Sequence, residues 1–231
     1  MESNIMMKFL AFAITLAAAA TASAHFPFLV PDGPDKGKAV FSDSLKPDSA
    51  GVPVDKIAGT KLAVIDNGKA AELSWTHDKA ANCYTFAVPG SGSRIVVGTT
   101  DYGVLQRGDS KPFHLRYYAK AIFGDIPVEE KATAGALVPL ELIPIVDSGK
   151  LRFKVVAGGK PMAKVEVTVL IPGEEKSKVV VTDDAGLTST FDKSGAYGAY
   201  ARMAEAKSGE QGGKKYEEVR NYATLVVRHG K

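Results

Sequence analysis

The sequence predicts an all-β chain: a signal peptide over residues 1–24, then two β-sandwich domains at 25–123 and 140–231 joined by a linker at 124–139. Three observations predict it. After residue 24 the apolar residues fall in short alternating runs, the period of half-buried strands. Gly, Pro, Asp and Asn break those runs at the spacing expected of sandwiches. No repeat, heptad or sustained helical period occurs.

In chain order, Lys8 precedes an apolar run over 9–20, and Ala22-Ser23-Ala24 follows. A positive residue, an apolar stretch and an A-x-A site together mark a secretory signal, and the stretch is shorter than the roughly 20 residues a membrane span needs. Translation from Met6 or Met7 would shorten this leader without altering it. Strands are expected over 38–42, 61–65, 70–75, 83–88, 94–98 and 114–123, with a tight hairpin at Asp66-Asn67-Gly68-Lys69 because Asn-Gly readily takes positive φ. Pro53 limits 47–57 to a loop or a brief helix. In the second domain the expected strands are 140–146, 150–157, 163–171, 177–182, 188–191 and 222–228. Gly158-Gly159-Lys160-Pro161 and Asp183-Asp184-Ala185-Gly186-Leu187 turn the chain between them, and 208–215 reads as a mobile polar loop. The architecture this suggests is Ig-like or cupredoxin-like.

Composition narrows the function. With 29 Lys and Arg against 26 Asp and Glu the net charge is only +3, and no basic stripe with interleaved aromatics appears, so nucleic acid is not an expected partner. Cys83 is the only cysteine, so no intramolecular disulfide is available, and in Asn82-Cys83-Tyr84-Thr85-Phe86 it reads as a small buried hydrophobe. No second apolar span follows the signal, which predicts an exported protein, periplasmic or secreted. There is no G-x-S-x-G elbow, phosphate loop, dinucleotide fingerprint or H-E-x-x-H, and no enzyme activity is expected. Arg107-Gly108-Asp109 reads as a charged turn.

Cleavage after Ala24 would make His25 the first residue of the mature chain. An N-terminal histidine offers its α-amine and its ring Nδ1 to one metal ion, and groups of these two types lose their protons near neutral pH, at about 8 and about 6.5. One more imidazole would complete a three-nitrogen site suited to Cu(II) or Ni(II). The other histidines are His77, His114 and His229. His77 ends a strand; His114 lies within one, sharing a face with Arg116 and Tyr118 while Phe113, Leu115 and Tyr117 take the other. His229, near the C-terminus, is expected to be frayed and solvated. The expected metal ligands are therefore His25 with either His77 or His114 as its partner. Asp43 and Asp101 read as turn caps rather than ligands.

Gly159-Lys160-Pro161-Met162-Ala163-Lys164-Val165-Glu166-Val167 followed by Thr182-Asp183-Asp184-Ala185-Gly186 resembles the carboxypeptidase-regulatory and transthyretin-like sandwich modules. Asp101-Tyr102-Gly103-Val104, Lys111-Pro112-Phe113 with Tyr117-Tyr118-Ala119-Lys120, the run 140–146 and Tyr222-Ala223-Thr224-Leu225 extend the likeness over nearly the whole mature chain. Together with the Ala24-His25 start they resemble an exported bacterial domain family of unknown function labelled nickel-uptake-transporter-like. The resemblance implies a periplasmic component that binds nickel or cobalt for a membrane metal transporter, and it assigns no ligands. With the residues themselves it gives the expected function: a periplasmic nickel-, cobalt- or copper-binding protein accessory to uptake. Two other readings compete with it. One is a copper histidine-brace oxidase acting on a polysaccharide, disfavoured because Trp75 is the sole tryptophan; the other is a metal-free envelope adhesion module.

Overall fold

Alternation dominates the observed structure as it does the sequence. The computed structural model describes residues 25–48 and 51–230, so the expected signal peptide lies outside the described residues. The first half contributes β1 (Phe26–Pro31), β2 (Lys36–Ser42), β3 (Lys61–Asp66), β4 (Lys69–Leu73), β5 (Trp75–Asp78), β6 (Cys83–Ala87), β7 (Arg94–Leu105) and β8 (Phe113–Phe123). The second half contributes β9 (Leu140–Asp147), β10 (Lys150–Ala157), β11 (Lys160–Pro161), β12 (Glu166–Leu170), β13 (Lys178–Val181), β14 (Gly195–Glu205), β15 (Gly209–Gln211), β16 (Lys214–Tyr216) and β17 (Glu218–His229). Among the described residues helix is confined to short 3-10 turns, one of which, Val54–Ile57, follows Pro53 at its N-cap. Asn67 and Gly68 both take positive φ, 47° and 75°, which closes the β3–β4 hairpin with the twist of its strands.

The centre is an eight-stranded sheet in the order β13-β12-β14-β17-β8-β7-β3-β4. A four-stranded sheet, β1-β2-β6-β5, and a three-stranded sheet, β11-β10-β9, complete the sandwiches. Strand parity sorts the cores. Val96, Val226 and the odd-numbered residues Phe113 to Phe123 of β8 join the core that contains β1, β2 and β6. Ile95, Val97, Tyr118, Ile122, Leu225 and Val227 join the core that contains β9 and β10. β7, β8 and β17 thus contribute buried residues to both cores.

The expected boundary at 124–139 falls between β8 and β9, yet β17 pairs in parallel with β8, so one sheet runs through both halves. The boundary segment is itself packed: Ala132, Ala134 and Val138 are buried. Beside it Lys120 Nζ meets Glu141 Oε1 at 2.5 Å, each residue only 3 % exposed. Lys120 also donates to the Ala132 carbonyl, while Thr133 Oγ1 and the Ala134 amide donate to Glu141, so both buried charges are fully engaged.

Two local expectations are corrected, and one strand forms where none was expected. The 208–215 stretch is not a loop but part of the β15–β16 hairpin, in which Gly209 pairs with Tyr216. His229 is not frayed: it pairs with Gly195 at the end of β17 and is 8 % exposed. The strand β14, rich in Ala and Gly and so poor in intrinsic strand preference, lies between β12 and β17, where sheet pairing decides its conformation.

Candidate functional site

The site begins where β1 begins. His25 precedes Phe26, and its ring Nε2 lies 2.6 Å from Asp48 Oδ2. An ionised carboxylate only accepts, so Nε2 carries a proton, and in the neutral ring Nδ1 is the nitrogen with the lone pair. The side chains of His25 and Asp48 are 14 % and 27 % exposed, a half-sheltered position at the rim of a cavity of about 340 Å³.

That cavity lies on the odd-numbered face of β8. Phe26, Phe41, Phe113 and Leu115 form its apolar walls, and Tyr102, Tyr117 and Tyr222 line it with phenols. The Tyr102 and Tyr117 rings are 5.6 Å apart and those of Tyr117 and Tyr222 5.8 Å. Tyr102 arrives there through a β-bulge. The β7–β8 register pairs Asp101 with Arg116 and then Gly103 with Leu115, leaving Tyr102 as the extra residue. Gly103 takes φ +95°, a conformation that glycine adopts without strain, and its amide donates to Asp101 Oδ1. Burial, reinforced by the neighbouring phenols of Tyr102 and Tyr222, raises the Tyr117 hydroxyl far above the usual phenol range, with Arg107 acting weakly in the opposite sense. Arg107 and Arg220 also line the cavity; the Arg220 guanidinium stacks 3.7 Å over Phe113 and its Nε donates to Glu218.

The other expected ligands are elsewhere. His77 lies on β5, at the opposite edge of the four-stranded sheet from β1. Its ring stacks on Tyr84 at 4.7 Å, with Nδ1 3.3 Å from Asp55. His114 lies on β8 but on the even-numbered face, away from the cavity that Phe113 and Leu115 line. It is 1 % exposed, with Nε2 2.6 Å from Asp101 Oδ1 and Nδ1 accepting from Arg116 at 3.3 Å. The β15–β16 hairpin covers it: Gln211 donates to the second Asp101 oxygen, and the Tyr216 ring is 5.1 Å from the imidazole. Among the described residues no three His, Cys, Asp or Glu side chains come together in one metal-binding group. Neither His77 nor His114 therefore lies beside His25; what the structure places there is the Asp48 carboxylate on Nε2, with no described group on Nδ1.

No family model matches the chain, and no curated protein is similar to it. Solved structures with related folds include a two fibronectin type-III domain segment from chicken tenascin, at 10 % identity and a TM-score of 0.21, covering 86 % of this chain and 97 % of that one. The D0–D1 domain of intimin is 18 % identical with a TM-score of 0.20, covering 84 % and 89 %. Both likenesses are remote and carry nothing about function.

Proposed function

We propose that the chain is an exported metal-binding protein that holds Cu(II), Ni(II) or Co(II) at His25 and serves metal uptake as an accessory to a membrane transporter. The observation that carries this reading is that Asp48 holds His25 Nε2 at 2.6 Å while no described group occupies Nδ1. A carboxylate on the outer nitrogen is the usual support of a metal-bound imidazole: it fixes the tautomer, orients the ring and makes the inner nitrogen more basic. With the α-amine released after Ala24, Nδ1 and that amine would form the chelate. Two protein nitrogens leave most coordination positions open, which suits a carrier that passes its ion on rather than a closed structural site. Binding requires both nitrogens unprotonated, so acidification should release the ion.

The test is a Cu(II) and Ni(II) titration of chelator-stripped protein whose N-terminus has been sequenced, beside a form carrying one extra residue before His25. Tight binding by the His25-initiated form alone is expected. Equal affinity in the two forms would sink the proposal.

A further inference from the structure

The cavity at whose rim His25 sits has a chemistry that the metal reading does not use. Tyr117 is 4 % exposed, yet no described group lies within hydrogen-bond distance of its hydroxyl. That oxygen is not sealed into the protein interior either; it faces the cavity. The hydroxyl is thus open to cavity water, and a guest that accepts its hydrogen bond there would take that water's place. Tyr102 and Tyr222, which line the same space, also form no hydrogen bond through their hydroxyls among the described residues. Arg107 lines it too and forms no ion pair among the described residues.

The sign of the guest follows from the lining. No Asp or Glu side chain lines the cavity, whereas two guanidinium groups do. Away from His25, the polar groups of the lining are three phenol hydroxyls, the Gln106 amide and the two guanidiniums, all able to donate and none negative, which matches an oxyanion. The walls set the rest of its chemistry. Phe26, Phe41, Phe113 and Leu115 offer no hydrogen bonds, so a bare hydrated anion would lose its water against them for too little return. An acid with an apolar body avoids that loss. At about 340 Å³ the space lies near the lower end of small-molecule sites, roughly 300–1,000 Å³, which admits a compact molecule.

We propose that this cavity is a receptor for a small organic carboxylate: Tyr117, Tyr102 and Tyr222 donate to its oxygens, Arg107 neutralises its charge, and the phenylalanines hold its apolar body. No metal is required, so the site stands or falls separately from the chelate at His25.

The experiment is calorimetric titration of the mature protein in excess chelator with benzoate, phenylacetate and hexanoate, each beside its neutral amide, and with inorganic phosphate. At least one acid should bind, about tenfold or more tighter than its amide, and phosphate should not. Tyr117→Phe should weaken that acid about tenfold, the size expected for one hydrogen bond to a charged group, without altering the circular dichroism spectrum. Arg107→Gln, at an exposed residue outside the core, should weaken the acid and remove the salt dependence of its binding while leaving the amide unchanged. No acid binding up to about 10 mM, where even a millimolar site fills, would overturn the proposal. So would acid and amide binding equally, phosphate alone binding, or both variants binding as the parent does.

Discussion

The two faces of β8 carry similar side chains to different ends. On the even-numbered face every polar group is closed by the protein: His114 by Asp101 and Arg116, Tyr118 by Asn221 at 3.2 Å, and Lys120 by Glu141. On the odd-numbered face Tyr117 faces the cavity with its hydroxyl unanswered. The two close His–Asp pairs repeat the contrast. Both are 2.6 Å long, but Arg116 occupies the second ring nitrogen of His114, whereas no described group occupies that of His25. A close histidine–carboxylate contact is therefore no sign of function by itself. What distinguishes the two is whether the remaining nitrogen is still available.

The contrast is broken most severely at the closed face. Lys120→Met leaves the Glu141 carboxylate buried without its cation and should cost about 3–5 kcal/mol, read as a fall in the urea midpoint. Replacing both partners, Lys120→Met with Glu141→Leu, should restore much of that loss. Asp101→Ala strips the buried Nε2–H of His114 of its acceptor and should cost about 1–3 kcal/mol, with Cu(II) and Ni(II) affinity unchanged. At the cavity rim the effects should move from stability to binding. Asp48→Asn is expected to lower metal affinity about 10–100-fold with a small change in thermal midpoint. The Tyr117 proton gives a subtler readout. Its raised folded value means that above pH about 10 the native state binds more protons than the unfolded chain, so its contribution is complete below that pH and is lost as pH climbs. Unfolding free energies measured at about pH 8 and about pH 11 should fall with pH, and less steeply in Tyr117→Phe. At neutral pH the same substitution removes only an unpartnered hydroxyl and should shift stability by no more than about 0.5 kcal/mol, the smallest effect expected here.

How much was legible varied with how local the cause was. The Asn67-Gly68 hairpin, the strand at 114–123 and the parity of β8 follow from spacing and backbone preference, and the structure agrees on each. Where parity points does not follow from it. The sequence separates His114 from Phe113 and Leu115, but only the assembled sheets decide which of the two faces meets His25, and it is not the face of His114. Tyr102 reaches the cavity because a bulge at Gly103 adds a residue to β7, and Arg107 because the turn after β7 folds toward it; both depend on pairing across strands distant in the chain. Tyr117 and Tyr222 lie in stretches that resemble a known family, and nothing in the sequence marks their hydroxyls. Their lack of partners is visible only once the neighbours are in place. The hairpin over 209–216 was hidden by its own composition, since polar and glycine-rich residues become strands there by covering His114 rather than by preference.

The parallel pairing of β17 with β8 has a consequence for how the chain is made. β17, late in chain order, sits between β8 and β14, and its Thr224 hydroxyl donates to the Pro27 carbonyl beside the first described residues. Until those last twelve strand residues emerge, both β8 and β14 present open edges, the kind that pair indiscriminately with other chains. Folding must then wait for contacts between the two ends of the sequence, which slows it and lengthens the vulnerable interval. A fragment ending before residue 218 would carry His25, His77, His114 and most of the cavity yet lack the keystone of its sheet, and it should accumulate as aggregate rather than as a smaller working protein.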